Sequence, residues 1–257
     1  MLKKPRTQKK LQAISAPVAI VTGAGKRLGK QIALALGRSG YDVVVNYHSS
    51  RSGAAETAAL IRKLGQRSAA IRADISKSSQ VSAMVKKALS QFGRIDLLVN
   101  NSAVYRRANL RETTDKVWDE ALGTNLKGTF LCCRAVAPQM LKQGGGRIIN
   151  IASLGGLQPW KEHLPYSVSK AGVIMLTRIL ARELAPTIQV NALAPGTIIM
   201  KGEESIEVSL TPVGKIPLRK YGKPSDIADM VLFLALKSTY ITGQVIAIDG
   251  GRSLTFS

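Results

Sequence analysis

Residues 18–29 read VAIVTGAGKRLG, a short apolar run followed by a glycine-rich turn and the first residues of a helical pattern. Glycines let a backbone approach a pyrophosphate closely, and a helix N-terminus presents free N–H groups at the positive end of its dipole. A turn of this kind directly after an apolar run predicts a strand–loop–helix unit that binds a dinucleotide. The residues expected to contact it are Gly23, Lys26, Arg27, Leu28 and Gly29.

Downstream of this unit, apolar strands continue to alternate with helical segments. Strands are predicted at 18–21, 42–46, 68–73, 95–100, 147–151, 188–193 and 244–248, and helices at 28–36, 54–64, 81–92, 114–141, 166–184 and 226–236. Such alternation gives right-handed crossovers and a parallel sheet covered on both faces. The sequence therefore predicts the α/β class, with a single doubly wound Rossmann-fold domain over residues 17–257 and a parallel seven-stranded sheet.

Charge and composition limit the classes of protein. The 257 residues include 37 Lys and Arg against 16 Asp and Glu, a formal net charge of +21, which predicts attraction to anions such as phosphorylated cofactors, acidic carrier proteins or nucleic acid. Residues 1–16 carry five basic residues and no acid. They are interpreted as a basic N-terminal tail, either solvated or contacting nucleic acid or membrane. No apolar run approaches about 18 residues, so no membrane span is predicted.

The cysteines and histidines support neither a disulfide framework nor a metal site. Cys132 and Cys133 are neighbours, which makes them a poor disulfide pair, and His48 and His163 are the only histidines. No apolar signal core follows the basic N-terminus. A cytoplasmic location is therefore expected.

The end of the second strand indicates which dinucleotide is bound. An acid there would hydrogen-bond the ribose of NAD, but Asn46, Tyr47, His48 and Ser49 include none. Hydroxyl donors here, with Lys26 and Arg27 in the neighbouring loop, suit the 2′-phosphate of NADPH. The alternative is an ordinary surface loop. Asp74, just after the third strand, could accept from the adenine amino group or cap a helix.

Tyr166 and Lys170 are four residues apart at the start of a helix, so they share a face. A nearby ammonium favours tyrosinate, which makes the tyrosine a usable proton donor and acceptor near neutral pH. Ser153 follows the fifth strand, at the carboxyl edge where open α/β sheets place their sites. The three residues predict a site for proton transfer to or from an oxygen atom.

Taken together, these motifs resemble the short-chain dehydrogenase/reductase family over about residues 17–252. The resemblance implies that Tyr166 protonates a substrate carbonyl, Ser153 holds its oxygen, Lys170 binds the nicotinamide ribose, and Asn125 breaks its helix to hold a water in a proton relay. It also implies hydride transfer from the nicotinamide, and pairing of the helices at about 114–141 and 164–185 into a homotetramer or dimer. Further cofactor contacts are expected at Asp74, Ile75, Asn101, Ser102, Ala103, Pro195, Gly196, Thr197 and Ile198.

The substrate side of the pattern points in two directions. Arg27 replaces the usual middle glycine of the phosphate loop, and Tyr105 follows Asn100-Asn101-Ser102-Ala103. Both features resemble pteridine reductases, in which an aromatic residue near this place stacks on the pterin. Ser153 and residues 216–224 are more similar to 3-oxoacyl-carrier-protein reductases.

The favoured function is thus NADPH-dependent reduction of a 3-oxoacyl thioester, on a carrier protein, or a related ketone. Pteridine reduction is the alternative, and a non-catalytic basic nucleic-acid-binding protein is a third and weaker one. Trp160 and His163 are expected either to rim the substrate pocket or only to pack. The remaining candidate substrate residues are Tyr105 and Met200, the latter in a substrate loop at about 197–215.

Overall fold

The computed structural model describes residues 16–200 and 211–255. Residues 1–15 of the predicted tail lie outside these ranges, as do residues 201–210 of the expected substrate loop. Seven parallel strands form one sheet in the order β3-β2-β1-β4-β5-β6-β7. The strands are β1 Val18–Val21, β2 Asp42–Tyr47, β3 Ser68–Arg72, β4 Leu97–Asn100, β5 Gly146–Ile151, β6 Ile188–Pro195 and β7 Val245–Ile248.

Helices cover both faces of this sheet, as the alternation of elements predicts. They are α1 Arg27–Arg38, α2 Arg51–Lys63, α3 Ser78–Phe92, α4 Asp115–Ala121, α5 Gly128–Lys142, α6 Leu164–Leu184 and α7 Pro224–Leu236. Val18 and Ile20 of β1 point into a core with α3, α5 and α6, while Ala19 and Val21 point into a core with α1, α2 and α7. The strand is buried on both sides, which explains its unbroken apolar sequence.

The long helix predicted at 114–141 is divided. A π-helical turn at Leu122–Lys127 separates α4 from α5, and Asn125 lies buried within it. Single π turns inside α-helices are frequent at functional sites. The expectation that the helix breaks at Asn125 is confirmed.

The predicted bounds of helices and strands differ from the observed ones where polar side chains, and not the apolar periodicity, decide where an element begins. Helices α2 and α3 each begin three residues before the prediction, because their first turns are polar and carry no apolar signal. Strand β4 begins two residues later than predicted. The carboxylate of Asp96, just before it, accepts a hydrogen bond from the N–H of Val18 at 2.8 Å.

β1 lies between β2 and β4, so the order of winding reverses between β1 and β4. Ligands of open α/β sheets bind outside the carboxyl ends of the strands at such a reversal. Among the described residues, no helix is both long and apolar enough to cross a membrane. The described part of the chain also contains no group of acidic, cysteine and histidine residues that could hold a metal.

Candidate active site

The phosphate loop is tied to the ends of three strands. Thr22 Oγ1 accepts hydrogen bonds from the N–H groups of Asn101 at 2.9 Å and Ser102 at 3.0 Å. Asn46 Oδ1 accepts from the N–H of Gly23 at 3.3 Å. The loop is therefore held by β1, β2 and β4 together, which fixes its backbone before any ligand arrives.

Close packing within the protein requires glycine at two positions of the loop. A Cβ at Gly29 would lie 2.4 Å from the carbonyl oxygen of Gly23, and one at Gly25 would lie 2.5 Å from Ser50 Oγ. The first turn of α1 contains no acid, and its N-cap, Lys26, makes no side-chain cap. The backbone N–H groups at the start of α1, with the side chains of Lys26 and Arg27 beside them, suit a pyrophosphate.

Arg27 has φ of +50°, in the left-handed region that favours glycine. The structure thus keeps the backbone shape of a glycine turn while it adds a guanidinium at this position. A non-glycine residue there costs roughly 1 kcal/mol. Leu28, the next residue, packs against the core on the α1 side of the sheet.

Asn46, predicted as a cofactor contact, acts within the protein. Its side chain is 1% exposed, and its Nδ2 donates to the carbonyl oxygens of Ile71 at 3.3 Å and Ala73 at 3.2 Å. It therefore joins the phosphate loop to the end of β3. The exposed side chains at this edge are those of His48 and Ser49, while Tyr47 is half-buried.

Asp74 is not a helix cap, since the N-cap of α3 is Lys77. Its Oδ1 accepts from the N–H of Ser76 at 2.9 Å and from Ser76 Oγ at 2.8 Å. Burial raises the pKa of Asp74, but the Ser76 hydrogen bonds, together with the nearby His48 and Lys77, outweigh it and hold that pKa below its ordinary value. Ile75 is buried, and a Cβ added at Gly128 of α5 would lie 2.7 Å from it.

Tyr166 lies in the first turn of α6 and Lys170 one turn later. Lys170 is 3% exposed, its Nζ donates to the carbonyl oxygen of Ile151 at 2.7 Å, and Nζ lies 5.9 Å from the centre of the Tyr166 ring. Burial lowers the pKa of Lys170 to about 8. An ammonium this near to a phenol favours the tyrosinate. With its pKa lowered to about 8, Lys170 can itself lose a proton close to neutral pH.

Ser153 lies two residues beyond the end of β5 and is buried. Its Oγ accepts from the N–H of Gly155 at 3.1 Å, which begins a short turn at Leu154–Gly156. A Cβ at Gly156 would lie 2.7 Å from the Lys170 carbonyl carbon. The absence of a side chain at Gly156 thus lets the Ser153 loop pack directly on α6.

The buried side chain of Asn125 connects β4 to α6. Its Oδ1 accepts from the N–H of Val104 at 2.8 Å, and its Nδ2 donates to the Val104 carbonyl oxygen at 3.0 Å and to Ser169 Oγ at 2.9 Å. Ser169 Oγ in turn donates to the Tyr166 carbonyl oxygen at 2.7 Å. Asn125 therefore positions the first turn of α6, and the expected relay water stays a prediction.

Three predicted substrate residues surround Tyr166. The Tyr105 ring meets it edge-on, with ring centres 4.9 Å apart, and the Trp160 ring stacks on it at 6.4 Å. His163 lies 5.2 Å from the Tyr105 ring and 5.6 Å from the Trp160 ring. Tyr105 is 50% exposed. Trp160 and His163 thus belong to a compact aromatic group beside Tyr166, and their role at the rim of a substrate pocket stays a prediction.

The segment predicted to cover the nicotinamide follows β6. A Cβ at Gly196 would lie 2.8 Å from Asp249 Cα, and Ile198 pairs with Gly222 in an isolated bridge. Pro195 ends β6, and Thr197 is buried beyond it. Met200 is half-buried and is the last described residue before 201–210, so its contact with a substrate stays a prediction.

Arg252 was missed from the sequence. Its guanidinium lies 5.3 Å from the centre of the Trp160 ring, and its Nη1 donates to Thr197 Oγ1 at 2.9 Å. Burial lowers the pKa of Arg252 below its ordinary value, although Tyr105 and Asp249 act in the opposite direction. The only sequence signal was its place after Asp249-Gly250-Gly251, since the pairing with Trp160 spans more than ninety residues.

Both cysteines lie in α5 and are buried, and neither forms a disulfide. Burial raises the pKa of both thiols, that of Cys133 to about 12. Such thiols are inert core residues.

Known proteins share this fold. A family model described as enoyl-(acyl carrier protein) reductase matches residues 23–253. The chain belongs to the short-chain dehydrogenase/reductase family. The resemblance noted from the sequence is therefore confirmed, and the members of this family are oxidoreductases that use nicotinamide dinucleotides.

Two relatives are named as reductases of carrier-bound substrates. A 3-oxoacyl-(acyl-carrier-protein) reductase of Staphylococcus epidermidis is 43% identical over 237 residues, covering 91% of this chain and 97% of that protein. A protein of the same description from Synechocystis sp. is 41% identical over 245 residues, covering 94% and 98%. Among solved structures, a putative short-chain alcohol dehydrogenase from Sinorhizobium meliloti matches with a TM-score of 0.87 and 35% identity, covering 95% of this chain and 98% of its own.

Proposed function

We propose that this short-chain oxidoreductase uses NADPH to reduce the 3-oxo group of an acyl thioester to an alcohol, with the acyl chain on a carrier protein. The observation that carries the proposal is the placement of Ser153 just beyond the carboxyl end of β5 and of Tyr166 and Lys170 in the first two turns of α6, with Lys170 buried against Ile151. The names of the relatives at 41–43% identity support the substrate class.

The chemistry divides between cofactor and protein. A bound nicotinamide supplies the hydride to the carbonyl carbon. Tyr166 Oη donates a proton to the carbonyl oxygen, and Ser153 Oγ donates a hydrogen bond that orients this oxygen. Lys170 stabilises the tyrosinate that remains, because its ammonium lies near the Tyr166 ring. Asn125 holds α6 in place through Ser169.

The preference for NADPH rests on charge at the phosphate loop. Lys26, Arg27 and the exposed edge at His48 and Ser49 present cations and a hydroxyl, and no acid follows β2 before Glu56. Glu56 itself is paired with Lys30 at 2.7 Å. A 2′-phosphate would thus meet donors without a competing carboxylate.

Pteridine reduction remains a second candidate because of Tyr105. Its half-exposed ring beside Tyr166 is a flat surface on which a planar heterocycle could stack. Ser153 favours the acyl thioester, since it suits a ketone oxygen. No feature of the described site favours a role limited to nucleic-acid binding.

NADPH oxidation with acetoacetyl thioesters and with a dihydropterin separates the candidates. If the substrate is carrier-bound, kcat/KM with an acyl carrier protein falls steeply as salt rises toward about 0.5 M, where electrostatic attraction is screened within a few ångström. Tyr105→Ala is then mild. If the substrate is a pterin, Tyr105→Ala abolishes turnover, Tyr105→Phe retains much of it, and salt has little effect. If the protein reduces neither substrate, both substrate assignments are refuted and only the reaction class of the family remains.

We further propose a homotetramer or dimer in the cytoplasm. Four apolar side chains on α5 and α6 are exposed and could be covered by a second copy, namely Phe130, Val168, Met175 and Ile179. Light scattering of the purified protein tests this, with Met175→Lys expected to lower the molar mass. A monomer for the unmodified chain contradicts it.

A further inference from the structure

A hydrogen-bonded pair stands next to the catalytic tyrosine. Tyr105 Oη lies 2.7 Å from His163 Nε2, and His163 Nδ1 lies 2.8 Å from the carbonyl oxygen of Lys161. A carbonyl oxygen only accepts, so Nδ1 carries a hydrogen. In the neutral imidazole Nε2 is then an acceptor, and the phenol of Tyr105 donates its proton to it.

The pair is held by the backbone on both sides. The N–H of Ala108 donates to the Glu162 carbonyl oxygen at 2.8 Å, and the N–H of Leu164 donates to the Ala108 carbonyl oxygen at 3.1 Å. The side chains of Arg107 and Glu162 form an ion pair across the same two segments. The Tyr105 hydroxyl is therefore placed by the fold and need not be ordered by the substrate.

The pair also faces the reaction. The Tyr105 ring meets the Tyr166 ring at 4.9 Å and nearly at right angles, and half of Tyr105 is exposed. A substrate whose carbonyl oxygen contacts Tyr166 must lie beside Tyr105.

We propose that Tyr105 and His163 form a substrate-selecting pair, in which Tyr105 Oη contacts a second polar atom of the substrate and the charge of His163 sets the direction of that hydrogen bond. The inference deepens the proposed reductase function and rests on it, since it concerns the same pocket. Neither residue is required for hydride or proton transfer itself.

The two charge states select different substrates. With His163 neutral, the Tyr105 proton is committed to Nε2, so Oη offers lone pairs to a substrate N–H or O–H. When His163 takes up a proton, Nε2–H donates to Oη, and the phenol proton turns to a substrate oxygen. The thioester oxygen of a 3-oxoacyl group is such an acceptor, so its binding gains as His163 becomes charged.

Charged and titratable groups surround His163 on every side. Lys161 and Glu162 precede it, Arg107 pairs with Glu162, Arg252 lies over Trp160, and the phenols of Tyr105 and Tyr166 complete the group. Imidazole is the side-chain type whose charge changes most readily near neutral pH, so the tests of the pair span about pH 8 to about pH 5.5.

Nitrogen NMR tests the pair without any turnover. The chain has two histidines, His48 and His163, so His48→Gln assigns the spectrum. We expect the neutral His163 ring to carry its proton on Nδ1, and Tyr105→Phe to shift the Nε2 resonance. A proton on Nε2 in the neutral ring, or an Nε2 resonance unchanged in Tyr105→Phe, overturns the proposal.

Kinetics test the selection. The measured quantity is the ratio of kcat/KM for an acetoacetyl thioester to kcat/KM for a simple ketone that lacks the second oxygen, so that changes at Tyr166 and Lys170 cancel. We expect this ratio to rise about two- to tenfold from about pH 8 to about pH 5.5, which is the contribution of one hydrogen bond.

His163→Gln is the matched variant, because its amide oxygen can still accept from Tyr105 but does not titrate. We expect the ratio to be flat with pH in His163→Gln and in Tyr105→Phe. A ratio that changes equally in the unmodified protein and in His163→Gln overturns the selection. Failure to reduce either compound at any pH refutes the proposed function, and the NMR result then decides on the pair separately.

Discussion

The ammonium nitrogen of Lys170 lies 2.7 Å from the carbonyl oxygen of Ile151, the last residue of β5. This contact joins the helix that carries Tyr166 to the strand that leads to Ser153. It also places a cation where water hardly reaches, which lowers the pKa of Lys170 from 10.5 to about 8. Lys170 therefore serves the proposed catalysis, while its buried charge lowers the free energy of unfolding.

Lys170→Met is expected to stabilise the ligand-free protein at neutral pH. A lysine pKa that is lower in the folded than in the unfolded chain destabilises the fold fully below about 8, and the penalty disappears as pH rises from about 8 to about 10.5. Its size is up to about 3 kcal/mol, reduced by about 1 kcal/mol for the lost hydrogen bond.

Urea unfolding at neutral pH and near pH 10 measures this gain, which should shrink at the higher pH. Lys86→Met, on the exposed side of α3, is the control and should show no such trend. A Lys170→Met variant that is less stable than the parent at neutral pH contradicts the argument.

Tyr166→Phe is expected to reduce turnover by about 10²- to 10⁴-fold, the usual contribution of a general acid. The phenyl ring keeps the packing against Tyr105 and Trp160, so NADPH affinity and folding should change little. Stopped-flow NADPH oxidation and a calorimetric titration give the two quantities. Tyr240→Phe, on a fully exposed side chain, is the control. Retention of more than about half the rate would show that another group donates the proton.

Arg27→Gly is expected to move stability and cofactor affinity in opposite directions. The glycine relieves a left-handed backbone at φ +50° and so stabilises the fold by up to about 1 kcal/mol. It also removes a guanidinium from the phosphate loop, which weakens NADPH binding by about ten- to a hundredfold and NADH binding less.

Thermal unfolding and calorimetric titration of both dinucleotides test this prediction. Arg27→Lys keeps the charge and the strained backbone, so it should retain most of the NADPH preference without the gain in stability. Equal dissociation constants of the parent protein for NADPH and NADH would refute the cofactor assignment.

Asn46→Asp is expected to destabilise the fold by about 2–4 kcal/mol, whatever it does to the cofactor preference. The carboxylate cannot donate to the carbonyl oxygens of Ile71 and Ala73, and it would be a buried charge that faces them. Ser49→Asp, on an exposed side chain nearby, should lower NADPH affinity with unchanged stability. Equal urea midpoints for Asn46→Asp and the parent would contradict the role given to Asn46.

The order of the elements and the proposed catalytic set follow from the sequence alone. The apolar strand Val18–Val21 and the later apolar strands alternate with segments of helical periodicity. A parallel sheet covered by helices buries such strands on both faces. Tyr166 and Lys170 needed only a helix to share a face, because their spacing is local.

Contacts between segments distant in the chain were decided by the tertiary structure alone. Arg252 reaches Trp160 and Thr197, Asn46 supports Gly23, and Tyr105 meets His163 only because the sheet brings loops from different strands to one edge. Periodicity reports which face of an element is apolar but not which side chain lies opposite it in space. For that reason the sequence predicted the proton donor and its lysine, whereas the fold determined which groups surround them.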